Sequence, residues 1–298
     1  MKVAWIGTGR MGAAMAARLL SRGISLKIHN RTAAKAKPLI TMGAEWADSP
    51  AIAARESSTV FTMVTGPAEL REVVLGPRGV FEGLARGGIL VDCTTSSPGL
   101  AAEIAARGEE MGIACLDAPV TGGDIGARDG TLSFMVGGEA ATLDRVRPLL
   151  QIMGQTIVLQ GPPGSGQHTK MVNQIIIAAG MVAMCEGLVY ARAAGLDLAR
   201  VLENVSHGAA SSWSLTNYAP RILRGDFTTG FAVRHYLKDL RIALDEADRM
   251  NLCLPGLALA KQLYAAVAAS GGQEDGTQSL VRLLARLSGR PWESTGPG

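Results

Sequence analysis

Short apolar runs alternate with longer runs of helical period through the first half of the chain. Residues 3–6, 24–29, 59–64, 88–92, 113–116, 131–136 and 156–159 read as strands. Residues 13–20, 68–75, 98–111 and 139–150 read as helices between them, with Pro98 suited to a first helical turn. This alternation predicts a mostly parallel sheet covered on both faces, an α/β fold. It ends at Gly161-Pro162-Pro163-Gly164, a strong breaker. Everything beyond reads helical. A helix N-capped by Ser165 runs to about residue 194, roughly 45 Å, and its middle is apolar nearly all round, as suits a helix surrounded by protein. Further helices are expected over 198–206, 233–250, 257–268 and 278–287. The expected organisation is therefore a first domain over 1–162, a helical domain over 163–290, and a loose tail over 291–298.

The first strand runs straight into Gly7-Thr8-Gly9-Arg10-Met11-Gly12, which then opens a helix. A GxGxxG in that setting is a dinucleotide fingerprint. Gly7 permits the tight turn, Gly9 lets the backbone approach a pyrophosphate, and Gly12 lets helix pack closely on strand. The helix N-terminus offers N–H groups and the positive end of a dipole to the phosphates. At the end of the second strand stand Asn30, Arg31 and Thr32, with Lys35 a turn later and no carboxylate among them. A carboxylate there would bind a ribose 2′-hydroxyl and repel a 2′-phosphate, whereas Arg can fork onto one. The expectation is NADP in preference to NAD. Arg10, Met11, Val64 and Thr65 join the candidate cofactor-binding set.

With 298 residues the chain suits two domains, each able to hold a core. Hydrophobic residues at 47% and charged ones at 18% describe a well-buried globular chain rather than a disordered one. The net charge of +3 and the lack of a dense basic cluster argue against nucleic acid. Lys2 is followed by only four apolar residues, so no signal peptide is expected and the cytoplasm is the default. The uninterrupted apolar run 175–185 is about 16 Å of helix, half a bilayer core, so no membrane span is expected. Cys93, Cys115, Cys185 and Cys253 form no CxxC pair and read as reduced thiols; His29, His168, His207 and His235 match no metal-ligand spacing. No metal is expected.

Three segments could carry chemistry. Asp92-Cys93-Thr94-Thr95-Ser96-Ser97-Pro98 joins a strand end to a helix start, where ligands of such sheets lie, although alone it is also an ordinary helix cap. In Asp117-Ala118-Pro119-Val120-Thr121-Gly122-Gly123, backbone N–H groups could converge on an anion such as a small carboxylate with help from Thr121; the glycines could equally serve the turn alone. In Gly164-Ser165-Gly166-Gln167-His168-Thr169-Lys170-Met171-Val172-Asn173-Gln174, a helix brings Lys170, Asn173 and Gln174 onto one face. A desolvated lysine comes within range of acid–base work; a solvated first turn is the plain alternative. Lys238, beside Asp239, is a second candidate amine, and spacing alone places that pair on a charged surface.

VAWIGTGRMGAAMAARL, DCTTSSP, DAPVTGG, GSGQHTKMVNQ and HYLKDLRIAL stand in the order and approximate spacing of the β-hydroxyacid dehydrogenases. That family includes 3-hydroxyisobutyrate dehydrogenase, tartronate semialdehyde reductase and the glyoxylate/succinic semialdehyde reductases. The resemblance covers about residues 1 to 288. It implies a Rossmann-like N-terminal domain and an all-α C-terminal domain joined by a long central helix. It implies reversible hydride transfer between NADP(H) and a small β-hydroxyacid or its semialdehyde, with Lys170 as the catalytic lysine. By the same resemblance Thr121, Gly122 and Gly123 take the substrate carboxylate, Asn173 and Gln174 orient substrate, Thr95 faces the nicotinamide, Lys238 approaches the cofactor and Phe231 closes the site. A homodimer or homotetramer is implied as well. Trp213 could wall the pocket or belong to a core. Many members carry Asn where this chain has Gln174 and Ser where it has Thr121. Gln moves its amide by about 1.5 Å, enough to alter substrate choice.

Imine reductases resemble this architecture too, but usually lack lysine at the position of Lys170. A non-catalytic nucleotide-binding scaffold of the same fold is the rival from another class. A hydrolase finds no GxSxG elbow to support it.

Overall fold

The structure, a computed structural model, describes residues 2–292. The chain divides into two compact units, Met1–Lys170 and Met171–Gly298.

The first unit is built on one sheet. Its strands are β1 (Val3–Ile6), β2 (Leu26–His29), β3 (Glu45–Trp46), β4 (Thr59–Thr62), β5 (Ile89–Asp92), β6 (Ala114–Asp117), β7 (Val120–Thr121), β8 (Leu132–Gly137) and β9 (Gly154–Gly161). Along the sheet they run β3-β2-β1-β4-β5-β6-β8-β7, with β9 also paired to β8. The six strands from β3 to β6 are mutually parallel; β8 runs antiparallel to β6 and β7 and parallel to β9. Strand order reverses between β1 and β4. That reversal is the switch point where sheets of this kind bind ligands, beyond the carboxyl ends of the strands.

Alternation along the central strands feeds two separate cores. Val3, Trp5, Phe61, Ile89 and Val91 pack on one face of the sheet, and Ala4, Ile6, Val60 and Leu90 on the other. Both faces are buried, so these strands read as continuous apolar runs rather than alternating ones. Trp5 and Phe61 stack with ring centroids 5.4 Å apart. The helix Arg10–Ser21 turns Gly12, Met15, Ala16 and Leu19 inward, the spacing of one helical face. The helix Pro98–Met111 matches the expected bounds: Ser97 caps it by accepting the Leu100 N–H, Pro98 opens it, and Gly112 closes it in the left-handed region at φ 70°.

The second unit is helical. The long helix Ser165–Ala193 begins in the first unit and continues into the second, where Met181, Cys185 and Leu188 belong to the core. The helices Leu198–Val205, Val233–Arg249, Pro255–Ala269 and Leu280–Leu287 contribute to the same core. Tyr236 and Tyr264 are fully buried and meet edge-on at 5.0 Å, and the Tyr264 hydroxyl donates to the Thr277 carbonyl oxygen at 3.0 Å. By length and composition alone the Ser165–Ala193 helix could cross a membrane; one side packs in this core, while Val172, Ile176 and Tyr190 on another side are exposed, so within the chain it is not surrounded by protein as its apolar middle suggests. Among the described residues no other helix passes that test.

The differences from expectation are local. Residues 24–29 shorten to Leu26–His29 and 59–64 to Thr59–Thr62, while 156–159 lengthens to Gly154–Gly161. The strands Glu45–Trp46 and Val120–Thr121 and the helices Pro50–Ala54, Val80–Gly83, Gly123–Asp129, Trp213–Asn217 and Ala219–Leu223 are unannounced by periodicity, being too short to show one. Ser165 is the first helical residue of the long helix rather than its cap. Most of the expected tail lies outside the described residues; within them, Trp292 packs on the helical core with the Arg192 guanidinium 5.0 Å from its ring centroid.

Candidate active site

The glycine turn sits at the sheet's switch point, and each glycine there has its own reason. Gly7 adopts φ +98°, and a Cβ on it would stand 2.3 Å from the Met63 carbonyl oxygen. A Cβ on Gly12 would stand 2.1 Å from the Gly7 carbonyl oxygen, which also accepts the Trp5 indole N–H at 2.8 Å. Packing therefore demands glycine at both positions. At Gly9, apart from its chain neighbours, nothing among the described residues lies within 4 Å of a Cβ, so the room there is available to a ligand against the helix N-terminus. That helix has no side-chain cap and no acidic residue in its first turn. The Thr8 hydroxyl is buried and finds no hydrogen-bond partner among the described residues. A pyrophosphate would fit these groups, taking N–H donors and a hydroxyl that the protein does not itself satisfy.

Asn30 fixes the turn from the neighbouring strand. Its Oδ1 accepts the Thr8 N–H at 2.9 Å, and its Nδ2 donates to the Thr32 carbonyl oxygen at 2.9 Å. Arg31, Thr32 and Lys35 are exposed after β2, Met11 is half-buried, and exposed Arg10 lies 3.8 Å from Asp124. Val64 donates its N–H to the Thr94 hydroxyl at 3.1 Å, and Thr65 is exposed.

Lys170 is buried, with 7% of its surface exposed, which excludes the solvated first turn. Its Nζ donates to the Val120 carbonyl oxygen at 2.9 Å, so the ammonium is held at β7, next to Thr121. Thr121 and Gly122 are half-buried and Gly123 is exposed. Gly122 and Gly123 have φ of +124° and +65°, and from Gly123 the chain enters the helix Gly123–Asp129. The structure thus brings Lys170 to the Thr121-Gly122-Gly123 segment from 50 residues away.

The groups that hold this arrangement were not singled out by sequence. Asp117 ends β6, and its carboxylate accepts the N–H of Gly164 at 2.7 Å and of Gln167 at 2.8 Å. It serves as the acidic cap of the Lys170 helix, in place of Ser165. A Cβ on Gly137 would stand 2.3 Å from Asp117 Oδ1, so this glycine makes room for the carboxylate, and one on Gly166 would stand 2.3 Å from the Met135 carbonyl oxygen and 2.8 Å from Asp117 Oδ2. Asp92, the register partner of Asp117, accepts the Thr62 hydroxyl at 2.6 Å and the Thr94 N–H at 3.0 Å. Burial pushes the Asp92 carboxyl up to about 7 and that of Asp117 up to about 6, in each case against the hydrogen bonds that favour ionisation. Aspartates ending adjacent strands, each followed by a polar or glycine loop, were the available signal.

In the helical unit, Asn173, Gln174, Lys238 and Phe231 are linked through Asp239 and Tyr236. Gln174 is 2% exposed; its Nε2 donates to Asp239 Oδ2 at 2.6 Å and its Oε1 accepts from Asn173 at 2.8 Å. Asp239, also 2% exposed, pairs with Lys238 at 2.8 Å, which corrects the reading of Lys238 and Asp239 as a plain charged surface. Phe231 is half-buried and meets Tyr236 edge-on at 5.5 Å. Trp213 is 52% exposed and packs edge-on to Tyr218, so it is no core residue. Among the described residues no three His, Cys, Asp or Glu side chains gather as a metal-ligand set.

Comparison with known proteins gives the same picture. Residues 2–161 match the NAD binding domain of 6-phosphogluconate dehydrogenase, and residues 164–284 match the family described as NAD-binding of NADP-dependent 3-hydroxyisobutyrate dehydrogenase. The probable 3-hydroxyisobutyrate dehydrogenase-like 1 of Arabidopsis thaliana is 48% identical, over 96% of this chain and 86% of its own. The 2-hydroxy-3-oxopropionate reductase of Escherichia coli is 37% identical, over 95% of this chain and 97% of its own. The solved Mycobacterium tuberculosis 3-hydroxyisobutyrate dehydrogenase superposes with a TM-score of 0.87 at 29% identity, covering 95% of this chain and 98% of its own. Solved imine reductases also resemble the chain, at 24% identity or below, and share its fold alone. By its two matched domains and these full-length relatives, the chain belongs to the β-hydroxyacid dehydrogenase family of nicotinamide-dependent oxidoreductases.

Proposed function

We propose that the chain catalyses reversible hydride transfer between NADP(H) and a small β-hydroxyacid or its semialdehyde, with Lys170 as general acid and base. The observation that carries this reading is a buried lysine whose Nζ is held 2.9 Å from the carbonyl oxygen of Val120, the residue that precedes Thr121-Gly122-Gly123 in the chain. In this reading the Thr121 hydroxyl and the N–H groups of Gly122 and Gly123 hold the substrate carboxylate, which fixes the substrate's orientation. A nicotinamide cofactor held at the glycine turn would supply the hydride in reduction and take it up in oxidation. Lys170 gives a proton to the carbonyl oxygen in reduction and takes one from the hydroxyl in oxidation, and its positive charge polarises the carbonyl. By the family resemblance Thr95 would face a bound nicotinamide, Lys238 would approach the cofactor, and Asn173 and Gln174 would orient substrate.

NADP is the proposed cofactor in preference to NAD, supported by Arg31 and Lys35 exposed after β2 where no carboxylate stands. Self-association is part of the same proposal. Val172, Ile176 and Tyr190 are exposed along the long helix, an apolar stripe that a second copy would cover. Light scattering should give a dimer or tetramer; a monomer at micromolar concentration would remove this part.

The deciding experiment is a panel of C3–C5 hydroxyacids and semialdehydes with NADP(H), followed at the nicotinamide absorbance band, with a cyclic imine alongside. Turnover of a carboxylate-bearing semialdehyde supports the reading. Turnover of the imine alone would replace it with imine reduction, and tight NADPH binding without any turnover with a scaffold role.

A further inference from the structure

Gln167 lies in the first turn of the Lys170 helix and is completely buried. Its side chain grips one loop twice: Nε2 donates to the Thr94 carbonyl oxygen at 2.7 Å, and Oε1 accepts the Ser96 N–H at 2.9 Å. The carboxamide takes the place of a peptide group in a neighbouring strand, one donor and one acceptor facing one acceptor and one donor. Between those two partners stands Thr95. The Gln167 backbone N–H is itself held by Asp117 Oδ2 at 2.8 Å, so the gripping residue is anchored on β6. Lys170 follows one helical turn later, on the same side of the helix.

We infer that Gln167 is a positioning residue that sets the placement of Thr95 relative to Lys170. This inference rests on the proposed reductase reading, in which those two residues meet the nicotinamide and the substrate oxygen. The loop between β5 and the helix Pro98–Met111 has no regular structure of its own, and the buried N–H of Ser96 and carbonyl of Thr94 meet the Gln167 side chain rather than water. With both bonds made, the loop and the helix move as one body. Without them Thr95 drifts from Lys170, and displacements near 1 Å cost up to about 10²-fold in rate.

The test uses two variants of the full chain. Gln167→Met keeps the volume and removes both bonds; Gln167→Glu keeps the shape, and its carboxyl reproduces donor and acceptor only when protonated. Amide hydrogen exchange at Ser96, measured without cofactor, should quicken at least about tenfold in Gln167→Met. Its kcat should fall at least about tenfold while the NADPH dissociation constant stays within about threefold. For Gln167→Glu, kcat relative to the unaltered chain should rise as pH falls from 8 to 6, an acid rescue that a merely structural role would not give. Unchanged Ser96 exchange, or a Gln167→Glu to wild-type ratio flat with pH, would overturn the inference. If the unaltered chain turns over no semialdehyde, the reductase reading falls separately, and the exchange data still decide whether Gln167 holds the loop.

Discussion

Asp92 and Asp117 are register partners at the ends of β5 and β6, and both carboxyls are buried. Asp117 spends its two oxygens on the N–H groups of Gly164 and Gln167, whereas Asp92 Oδ2 finds no partner among the described residues. A carboxyl raised to about 7 by burial is a mixture of acid and anion near neutrality, and that of Asp117, at about 6, is largely anionic.

The sign of the pH effect follows. Asp92 binds its proton more tightly folded than unfolded, so its contribution is full below the ordinary carboxylate range and is lost as pH rises towards about 7. Relative to Asp92→Asn, the unaltered chain should lose up to roughly 4 kcal/mol of stability between pH 4 and pH 8. Denaturant melts of both chains across that range measure it; parallel pH dependences would show that Asp92 is not the group responsible.

Gly12→Ala would place a methyl carbon 2.1 Å from the Gly7 carbonyl oxygen, a backbone atom with little room to retreat. The helix must shift off the strand, lowering stability by about 1–3 kcal/mol and weakening NADPH binding at least about tenfold. Thermal melts and fluorescence titration report the two effects. An alanine variant that melts and binds as the parent does would rule out the close packing described here.

Arg31→Ala should lower kcat/KM with NADPH by about 10- to 100-fold, the range of one charge-assisted fork to a phosphate, and leave NADH nearly unaffected. Equal losses with both cofactors would assign Arg31 a structural role and leave the 2′-phosphate without this partner.

The glycine turn was legible because most requirements on it are local: the positive φ of Gly7, the Gly7 carbonyl close to Gly12 and the helix start lie within a few residues, and only the Met63 carbonyl comes from far along the chain. The parallel sheet was legible from the repeated spacing of short apolar runs between helices, and the helical second unit because long helices show their period. The surroundings of Lys170 were not. Val120 reaches Lys170, and Asp117 reaches Gln167, from 50 residues away in the chain, through the antiparallel pairing of β6 and β7 with β8 and the parallel pairing of β8 with β9, which leads into the helix. Strand β7 has two residues and carries no periodicity. Gln174 shows the other limit. The resemblance implies that its amide orients substrate, and nothing in the sequence shows that Asp239, 65 residues on, accepts a hydrogen bond from it. Partners supplied by tertiary structure decide whether a polar side chain faces a ligand or another residue.

Lys170→Ala is the most direct measurement of the central claim. With the best semialdehyde of the panel, turnover should fall about 10²–10⁴-fold, while the NADPH dissociation constant stays within about threefold of the parent's. A Lys170→Ala chain that keeps full turnover would contradict the account, whatever its affinity for the nucleotide.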